Sequence, residues 1–564
     1  MFVKRTCRYM VRKCSLVGMV AFFLSIILST NGLKLKTVQA QEVSSNITTT
    51  SSIPYQLVDA RRHLRRLTLD LWGTLPSEEA LLSQAPEQAL SEAQVREILS
   101  HPKAQRFFRR FNAERFWPAL GLGDIVNEAI SLLLPASFYG DTGPHADRLF
   151  LIFTGIYQRG GFVPCSDEPV EYDENGELIF EEYPDGTQRE GFTWVTPYWS
   201  DEAIKVCALE ARAMESGIYG GACDETQGLL TGECGCGASL ERCMSIESAQ
   251  VFLKAFQEQM EYMALEHSGA AGYEARSYFD LFTRQDELVN GPLVHYYRYI
   301  APMVLDPMIL QAPSELDSLP LLDFSNRETW VWVDRRSDLH SGILTSLTYL
   351  LRFPTARSRA NRVSTQLLCT PFVASSDRLP APEDPCSQNP NLSERCGCSD
   401  CHSRLEPLAA YWGRFADNGS LFLDPDDFPS FDAECARCAD PNITCSERCR
   451  QFYVHESFQE NGLEIPDDYL GVLKSYEWRN REEIRHIEQG PKALFAQRVN
   501  QVKLARCTTE HLFKTLMSKE ATQGDWIRLE HYVSRFLEHQ NLAELTYEIL
   551  SDPAYLDVDQ AELP

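Results

Sequence analysis

The sequence predicts a mainly α fold, a multi-helix body with small β-hairpin insertions. Two observations indicate this fold class. Apolar residues recur at three- and four-residue spacing over most of the chain, as they do on one face of a helix. Turn signals between short runs of Tyr, Phe and Ile occur near residues 170–194, which is typical of hairpins. The 564 residues suffice for several domains or for one large helical body.

The N-terminus has the pattern of an export signal, which we assign to residues 1–40. A basic start precedes an apolar run from Leu16 to Leu28, and the small-residue cleavage pattern Val38-Gln39-Ala40 follows. An uncleaved anchor is the alternative, and no other apolar run approaches a bilayer span. Residues 41–56 are rich in Ser and Thr and predict a flexible lead-in. We therefore expect a periplasmic or cell-surface protein without membrane contact beyond this signal.

The charge is strongly acidic. The formal net charge is -27, and the predicted signal holds seven basic residues and no acidic one, so the remainder stands at -34 with 46 basic and 80 acidic side chains. Such a surface repels nucleic acid and anionic lipid headgroups. The interpretation that the sequence favours is a solvated surface without a specific partner. The alternative is a basic partner protein, here a basic redox partner.

The cysteine count has a different meaning in an exported chain. Of eighteen cysteines, Cys7 and Cys14 belong to the signal, and sixteen remain. In an oxidising compartment most of these are expected to form disulfides. If a cofactor takes two, the fourteen others can form up to seven bridges, whose connectivity the sequence does not give.

Residues 57–300 are predicted to form a helical domain. Ser91 and Gln94 have the spacing of a capping box, and Gly73 is expected to end the first helix. Arg106, Arg109 and Arg110 flank the second stripe, where a solvated face is expected. The apolar stripes are Leu57, Ala60, Leu64, Leu67 and Leu71; Ala104, Phe107, Phe108 and Phe111; and Ala249, Phe252, Leu253, Phe256 and Met260.

A Cys-rich hairpin and loop insertion is predicted within this domain, near residues 165–243. The turn signals Asp173–Gly176 and Pro184–Gly186 predict one or two hairpins. The acidic group from Asp173 to Glu177 lacks the spaced ligands of a calcium loop, although calcium is an alternative. A disulfide-stapled loop is favoured over zinc, because histidines and paired C-x-x-C spacing are missing.

Residues 301–425 contain the motif that carries chemistry, Cys398-Ser399-Asp400-Cys401-His402. C-x-x-C-H is the attachment signature of c-type haem, in which two thiols add to the haem vinyl groups and the adjacent imidazole binds the iron. We therefore predict one covalent haem c on Cys398 and Cys401, with His402 as the proximal iron ligand. The alternative is two disulfide cysteines that precede a histidine by chance.

Helical apolar spacing continues after the motif. It predicts either a wall that keeps water off a haem edge or ordinary core packing, with Pro407 placed in a first helical turn. The residues with this spacing are Leu405, Leu408, Ala409, Trp412 and Phe415.

Residues 426–480 form a second Cys-rich, irregular segment. Cys435, Cys438, Cys445 and Cys449 lie within fifteen residues, and we expect two local disulfides there, with a zinc site as the alternative. Residues 481–564 are predicted to form a C-terminal helical domain.

The C-terminal domain shows one clear helical stripe and one start signal. Trp526, Leu529, Val533 and Phe536 share a face, and a capping box at Asn541 and Glu544 is expected to start the last helix.

Several stretches share the order of motifs found in one group of proteins and cover about half of the chain; they are Arg65–Pro76, Leu281–Tyr297, His340–Thr345, Arg362–Pro371, Cys398–Pro407, Ala505–Met517 and Leu542–Leu556. In this order they resemble the planctomycete-type cytochrome-associated proteins, exported helical proteins built around a C-x-x-C-H segment. Glu406 stands in the usual Asp place of the "CxxCHxxxDP" region. The extra Cys396 departs from the pattern, because it could compete for the haem or pair with Cys386.

The resemblance implies an exported, helix-rich, haem-associated protein and no defined reaction. The full fold prediction is therefore a mainly α multi-helix body with an embedded cytochrome c-like haem segment. Electron transfer is the first function predicted. A peroxidase-like haem enzyme and a non-haem, disulfide-rich binding or scaffold protein are the alternatives, and whether the protein is an enzyme stays open. The distal haem ligand is not apparent from the sequence.

Overall fold

A computed structural model describes the chain from residue 59 to residue 556, with gaps. The predicted signal and lead-in therefore lie outside the described residues, as does the segment 122–165 of the predicted helical domain. The described residues are 59–85, 90–121, 166, 168–209, 211–212, 236–242, 246–270, 272, 276–300, 318–335, 338–373, 381–415, 422–457 and 465–556.

Helices dominate these residues, as predicted. No helix in the described ranges is both long and apolar enough to cross a membrane. The helices are α1 (Ala60–Trp72), α2 (Glu78–Leu82), α3 (Glu92–Leu99), α4 (Gln105–Phe116), α5 (Ile246–Glu266), α6 (Gly291–His295), α7 (Leu347–Arg352), α8 (Ala356–Arg362), α9 (Ser399–Ala409), α10 (Ala433–Ala436), α11 (Glu447–Phe452), α12 (Arg481–Ile487), α13 (Pro491–Ala496), α14 (Arg498–Met517), α15 (Trp526–His539) and α16 (Leu542–Leu550).

The strands form three short antiparallel pairs. Strand β1 (Glu181–Glu182) pairs with β2 (Gln188–Arg189) across the predicted turn, where Gly186 has a positive φ. Strand β3 (Phe192–Val195) pairs with β4 (Ile204–Cys207). These two pairs confirm that hairpins lie in this region. At the acidic turn, Asp173 accepts hydrogen bonds from the backbone N–H groups of Asn175 (2.8 Å) and Glu177 (2.7 Å), so it shapes a turn.

The third pair was not predicted. Strand β5 (Asp286–Val289) pairs with β6 (Val331–Asp334), which lies more than forty residues further along the chain. Glu287 of β5 and Arg335, the residue after β6, form an ion pair with both side chains buried, and Gln259 of α5 donates a hydrogen bond to Glu287 at 3.2 Å. The ion pair and the hydrogen bond from Gln259 thus hold β5 and β6 against α5.

The predicted N-terminal stripes form the core as expected. Asp59 caps α1, and Gly73 ends it in the left-handed conformation (φ 68°). Ser91 and Gln94 make the predicted capping box of α3. Ala60, Leu64, Leu67 and Leu71 are buried, as are Ala104, Phe107, Phe108 and Phe111; Leu57 lies outside the described residues.

A buried arginine joins distant parts of this core. Arg115 of α4 donates hydrogen bonds to Tyr278 Oη (3.1 Å), to Thr508 Oγ1 of α14 (2.9 Å) and to the carbonyl of Gln366 (3.2 Å). The residues from Tyr55 onward belong to one compact unit. The predicted boundaries at 300 and 425 are therefore crossed by side-chain contacts that tie the segments together.

The C-terminal helices follow the predicted pattern with two differences. Leu529, Val533 and Phe536 of α15 are buried, but Trp526 remains 54% exposed. Asn541 caps α16 by accepting a hydrogen bond from Glu544 N–H at 3.0 Å. The Glu544 side chain does not complete the box, because it pairs with Arg96 of α3 at 2.7 Å.

Candidate haem-attachment site

The motif lies at the start of α9, after a short disulfide-closed loop. Cys386 and Cys396 form the disulfide, so the extra thiol is paired. Gly397 adopts a positive φ of 76°, which turns the chain into the helix. Cys398 is the residue before the first helical one, and His402 N–H donates to its carbonyl at 2.9 Å. Both cysteines and the histidine thus lie within the first turn of one helix.

Cys398 and Cys401 are the two free cysteines among the described residues. Both are partly exposed. The other described cysteines are all disulfide-bonded; they are Cys207, Cys236, Cys369, Cys386, Cys396, Cys435, Cys438, Cys445, Cys449 and Cys507. The C-x-x-C pair is therefore the place where thiols remain available for covalent chemistry in the described chain.

His402 is held by the carboxylate one helical turn further on. Its Nδ1 hydrogen-bonds to Glu406 Oε1, and Arg357 of α8 donates to the same carboxylate through Nε at 2.7 Å and through Nη2 at 3.2 Å. A carboxylate on one ring nitrogen orients the imidazole and leaves the other nitrogen as a ligand atom. No hydrogen-bond partner of Nε2 is found within the described part of the chain. Nε2 can therefore serve as an axial ligand.

The donor atoms fit haem better than a bare metal ion. The thiols and imidazole of the motif are not among the described groups whose donor atoms lie within 4.8 Å of one another. A zinc ion needs its ligands to converge on one point, whereas haem c takes two sulfurs at the porphyrin edge and one nitrogen at the iron. When bound, haem would supply one-electron redox chemistry; Cys398 and Cys401 would hold it, and His402 would ligate the iron.

The apolar residues after the motif belong to the core. Trp412 is fully buried, its Nε1 donates to the carbonyl of Leu344 at 3.0 Å, and its ring stacks on Tyr349. Of the two interpretations of this stripe, core packing holds for Trp412. Pro407 was placed wrongly, because α9 begins at Ser399 and Pro407 lies in its last turn. Pro407 has no backbone N–H to donate, and the helix is followed by a tighter 3₁₀ turn at Ala410–Trp412.

Among the described residues, no contact places another histidine or methionine beside His402 as a distal ligand. His340 is fully buried with Nδ1 on Thr345 Oγ1 (2.5 Å), and His455 Nδ1 contacts the carbonyl of Tyr453 (3.1 Å). His486 accepts from Gln497, and Met517 is in the core. Met303 and Met308 lie outside the described residues. The distal ligand is thus unassigned.

Two other groups of cysteine and histidine side chains could hold a metal ion by their composition, but their sulfurs are bonded in disulfides. Cys435 pairs with Cys449, and Cys438 pairs with Cys445, which confirms two local disulfides and gives their connectivity. Cys369 and Cys507 form a disulfide beside His511. A disulfide sulfur is a poor zinc ligand, because zinc binds the thiolate. The zinc alternative for 435–449 is therefore not supported.

Comparisons with protein-family models, with curated proteins and with solved structures gave no match for this chain. The resemblance to the cytochrome-associated proteins therefore remains a prediction from the sequence. The site has to be judged on its own residues.

Two residues of the site, Glu406 and Arg357, have no role predicted from the sequence. Glu406 is four residues after His402, and this helical spacing is a signal that could have identified the pair. Arg357 could not be found in this way, because its position beside Glu406 depends on how α8 packs against α9.

Proposed function

We propose that this protein is an exported c-type haem protein that transfers electrons. Cys398 and Cys401 bind the haem through thioether bonds, and His402 is its proximal ligand. The observation that carries the proposal is the state of the cysteines, since the one free pair among the described cysteines is the pair in the C-x-x-C-H motif. The orientation of His402 by Glu406 supports it further.

Export is part of the same proposal. The disulfides of the described chain are typical of a protein that folds in an oxidising compartment. The basic and apolar pattern of residues 1–40 would direct the chain there. An acidic surface would favour a basic redox partner.

The test is covalent haem retention. The full chain is expressed with its N-terminal segment in a bacterial host that matures c-type cytochromes, then denatured and examined for haem on the polypeptide. We expect a haem-stained band that disappears in the Cys398→Ser/Cys401→Ser variant. The matched control is Cys438→Ser/Cys445→Ser, which removes an equal number of sulfurs and should keep the haem. Colourless wild-type protein with Cys398 and Cys401 oxidised would instead favour the disulfide-rich scaffold.

Ligand binding then separates electron transfer from a peroxidase-like activity. A peroxidase needs an open iron face and a distal acid–base group. We expect a low-spin spectrum that carbon monoxide and cyanide change only slowly. Rapid binding of either would replace the electron-transfer proposal by a haem enzyme.

A further inference from the structure

A cavity of about 370 Å³ lies beside the second half of α9, separate from the cysteines and histidine of the motif. It is open to solvent and is lined by α9, by the turn after α8, and by α12, α13 and α14. Its volume is in the range of small-molecule sites, which is roughly 300–1,000 Å³. Its apolar wall includes Leu368, Phe372, Leu408, Ile487 and Leu494. This wall suits an aromatic or aliphatic group.

Three cations also line the cavity, namely Arg404, Arg479 and Lys503. Arg404 donates to the carbonyls of Thr370 (3.4 Å) and Pro371 (3.1 Å), which are neutral acceptors. The side chains of Arg479 and Lys503 form no hydrogen bond or ion pair with any described residue. The three positive charges are thus without a carboxylate partner in the part of the chain that the structure describes.

Three cations meet at this cavity, although the chain as a whole has 80 acidic and 53 basic residues. Arg404 and Lys503 are exposed, and Arg479 is half-buried. Glu483 also lines the cavity, and its carboxylate accepts a hydrogen bond from Asn480 N–H at 2.9 Å and caps α12. With three cations and one carboxylate, the lining keeps a net positive charge.

The polar side of the cavity is already held in place. Gln497 donates hydrogen bonds to Tyr411 Oη at 3.1 Å and to His486 Nε2 at 2.8 Å, and both acceptors line the cavity. The guanidinium of Arg404 lies 5.1 Å from the centre of the Phe372 ring. Such fixed side chains reduce the entropy that binding would cost.

We infer that this cavity binds a small organic anion, with a carboxylate or sulfonate on an aromatic or aliphatic body. The cations recognise the acid group, and the apolar wall contacts the body. An inorganic anion would leave the wall unused, and a neutral molecule would leave the cations unpaired. The inference is independent of haem attachment. One other source of carboxylates is the haem itself, through its propionates, and the test separates the two.

The probe is 8-anilinonaphthalene-1-sulfonate, whose fluorescence rises in an apolar site. We expect saturable binding to the folded wild-type protein that benzoate displaces and neutral benzamide does not. Arg479→Gln/Lys503→Gln should weaken binding at least tenfold, because both charge-assisted hydrogen bonds to the acid group are lost. The matched control is Arg485→Gln/Arg498→Gln, which removes the same charge beside the same helices, outside the cavity lining, and should bind as wild type.

Three results would overturn the inference. One is equal affinity in the two double variants, and another is equal displacement by benzoate and benzamide. The third is a difference between two forms of the protein, in which the haem-free Cys398→Ser/Cys401→Ser variant binds the probe and the haem-loaded wild type does not. That result would mean that the haem fills the cavity. Equal binding by both forms supports a free organic anion. If Arg479→Gln/Lys503→Gln does not fold, the wild-type displacement by benzoate should weaken as salt rises, and a salt-independent affinity would contradict the role of the cations.

Discussion

His402 is one end of a short chain of polar contacts. Its Nδ1 is on Glu406, and Arg357 is on the other side of that carboxylate. The side chain of His402 is 25% exposed, whereas that of Arg357 is 54% exposed. On an iron-bound imidazole the carboxylate would strengthen electron donation to the metal, and the guanidinium would partly offset that negative charge. The two partners should therefore act on an axial ligand in opposite directions.

This gives a paired prediction for the proposed haem-loaded protein. Glu406→Gln should raise the reduction potential, because an imidazole without the carboxylate donates less electron density and stabilises the oxidised iron less. Arg357→Gln should lower it. We expect shifts on the order of tens of millivolts, where 59 mV is a tenfold change for one electron. Potentiometric titration of the Soret band gives the values.

Haem retention after denaturation is the control for these variants, since neither residue touches the thioether positions. Shifts of the same sign in both variants, or no shift, would show that the carboxylate does not tune the histidine.

At the scale of elements, disulfides tie the irregular segments to the helices. Cys369 follows the helical turn at Val363–Leu367 and is bonded to Cys507 in α14, across 138 residues of sequence. Cys438 and Cys445 close a separation of only 7 residues. A crosslink restricts the unfolded chain more when it closes a longer loop.

Removal of these two bridges should therefore have different costs. In the chain-entropy picture, Cys369→Ala/Cys507→Ala should lower the free energy of unfolding by roughly 5 kcal/mol, and Cys438→Ala/Cys445→Ala by roughly 2.5 kcal/mol. Urea unfolding of the two variants and of the wild type gives the comparison. A larger loss from the short loop would mean that native packing, not loop length, determines the contribution of each bridge.

At the scale of the whole molecule, buried histidines make the fold sensitive to acid. Burial lowers the pKa of His63, His267, His295 and His511 to about 4 in each case, and the pKa of His340 is also lowered by burial. The unfolded chain has ordinary histidine pKa values near 6.5 and binds more protons than the folded chain between about pH 4 and 6.5. The stability contributed by the neutral rings is therefore complete above pH 6.5 and is lost as the pH falls towards 4.

The slope of the unfolding free energy against pH tests whether these histidines bind protons on unfolding. His295 is surrounded by aromatic rings, among them Tyr198, Phe252 and Phe324, so His295→Phe preserves much of the packing. This variant should reduce the slope of unfolding free energy by about 1.4 kcal/mol per pH unit between about pH 4.5 and 6, which is one proton.

The measurement is urea unfolding at several pH values, with His101→Phe as the control because His101 is exposed. An unchanged slope in His295→Phe would mean that His295 does not bind its proton on unfolding. A changed slope in His101→Phe would point to a general effect of the substitution.

Local pattern was sufficient for many elements. The stripes of α1 and α4, the caps at Ser91 and Asn541 and the turn at Gly186 were all predicted, because each depends on residues within a few positions of one another. The start of α9 was placed too late, since the Cys398 turn has no side-chain cap that would mark it. The β5–β6 pair has no local signal and was missed.

The sequence by itself determined the helical class, the C-x-x-C-H motif and the acidic charge, since these depend on residue type and short-range spacing. Only the tertiary structure decided that Cys396 bonds to Cys386, that Arg357 reaches Glu406 and that Trp412 belongs to the core. It also brought Arg404, Arg479 and Lys503 to one cavity. The physical reason is that these contacts join segments far apart in the chain, and their geometry is set by how helices pack rather than by any local preference of the backbone.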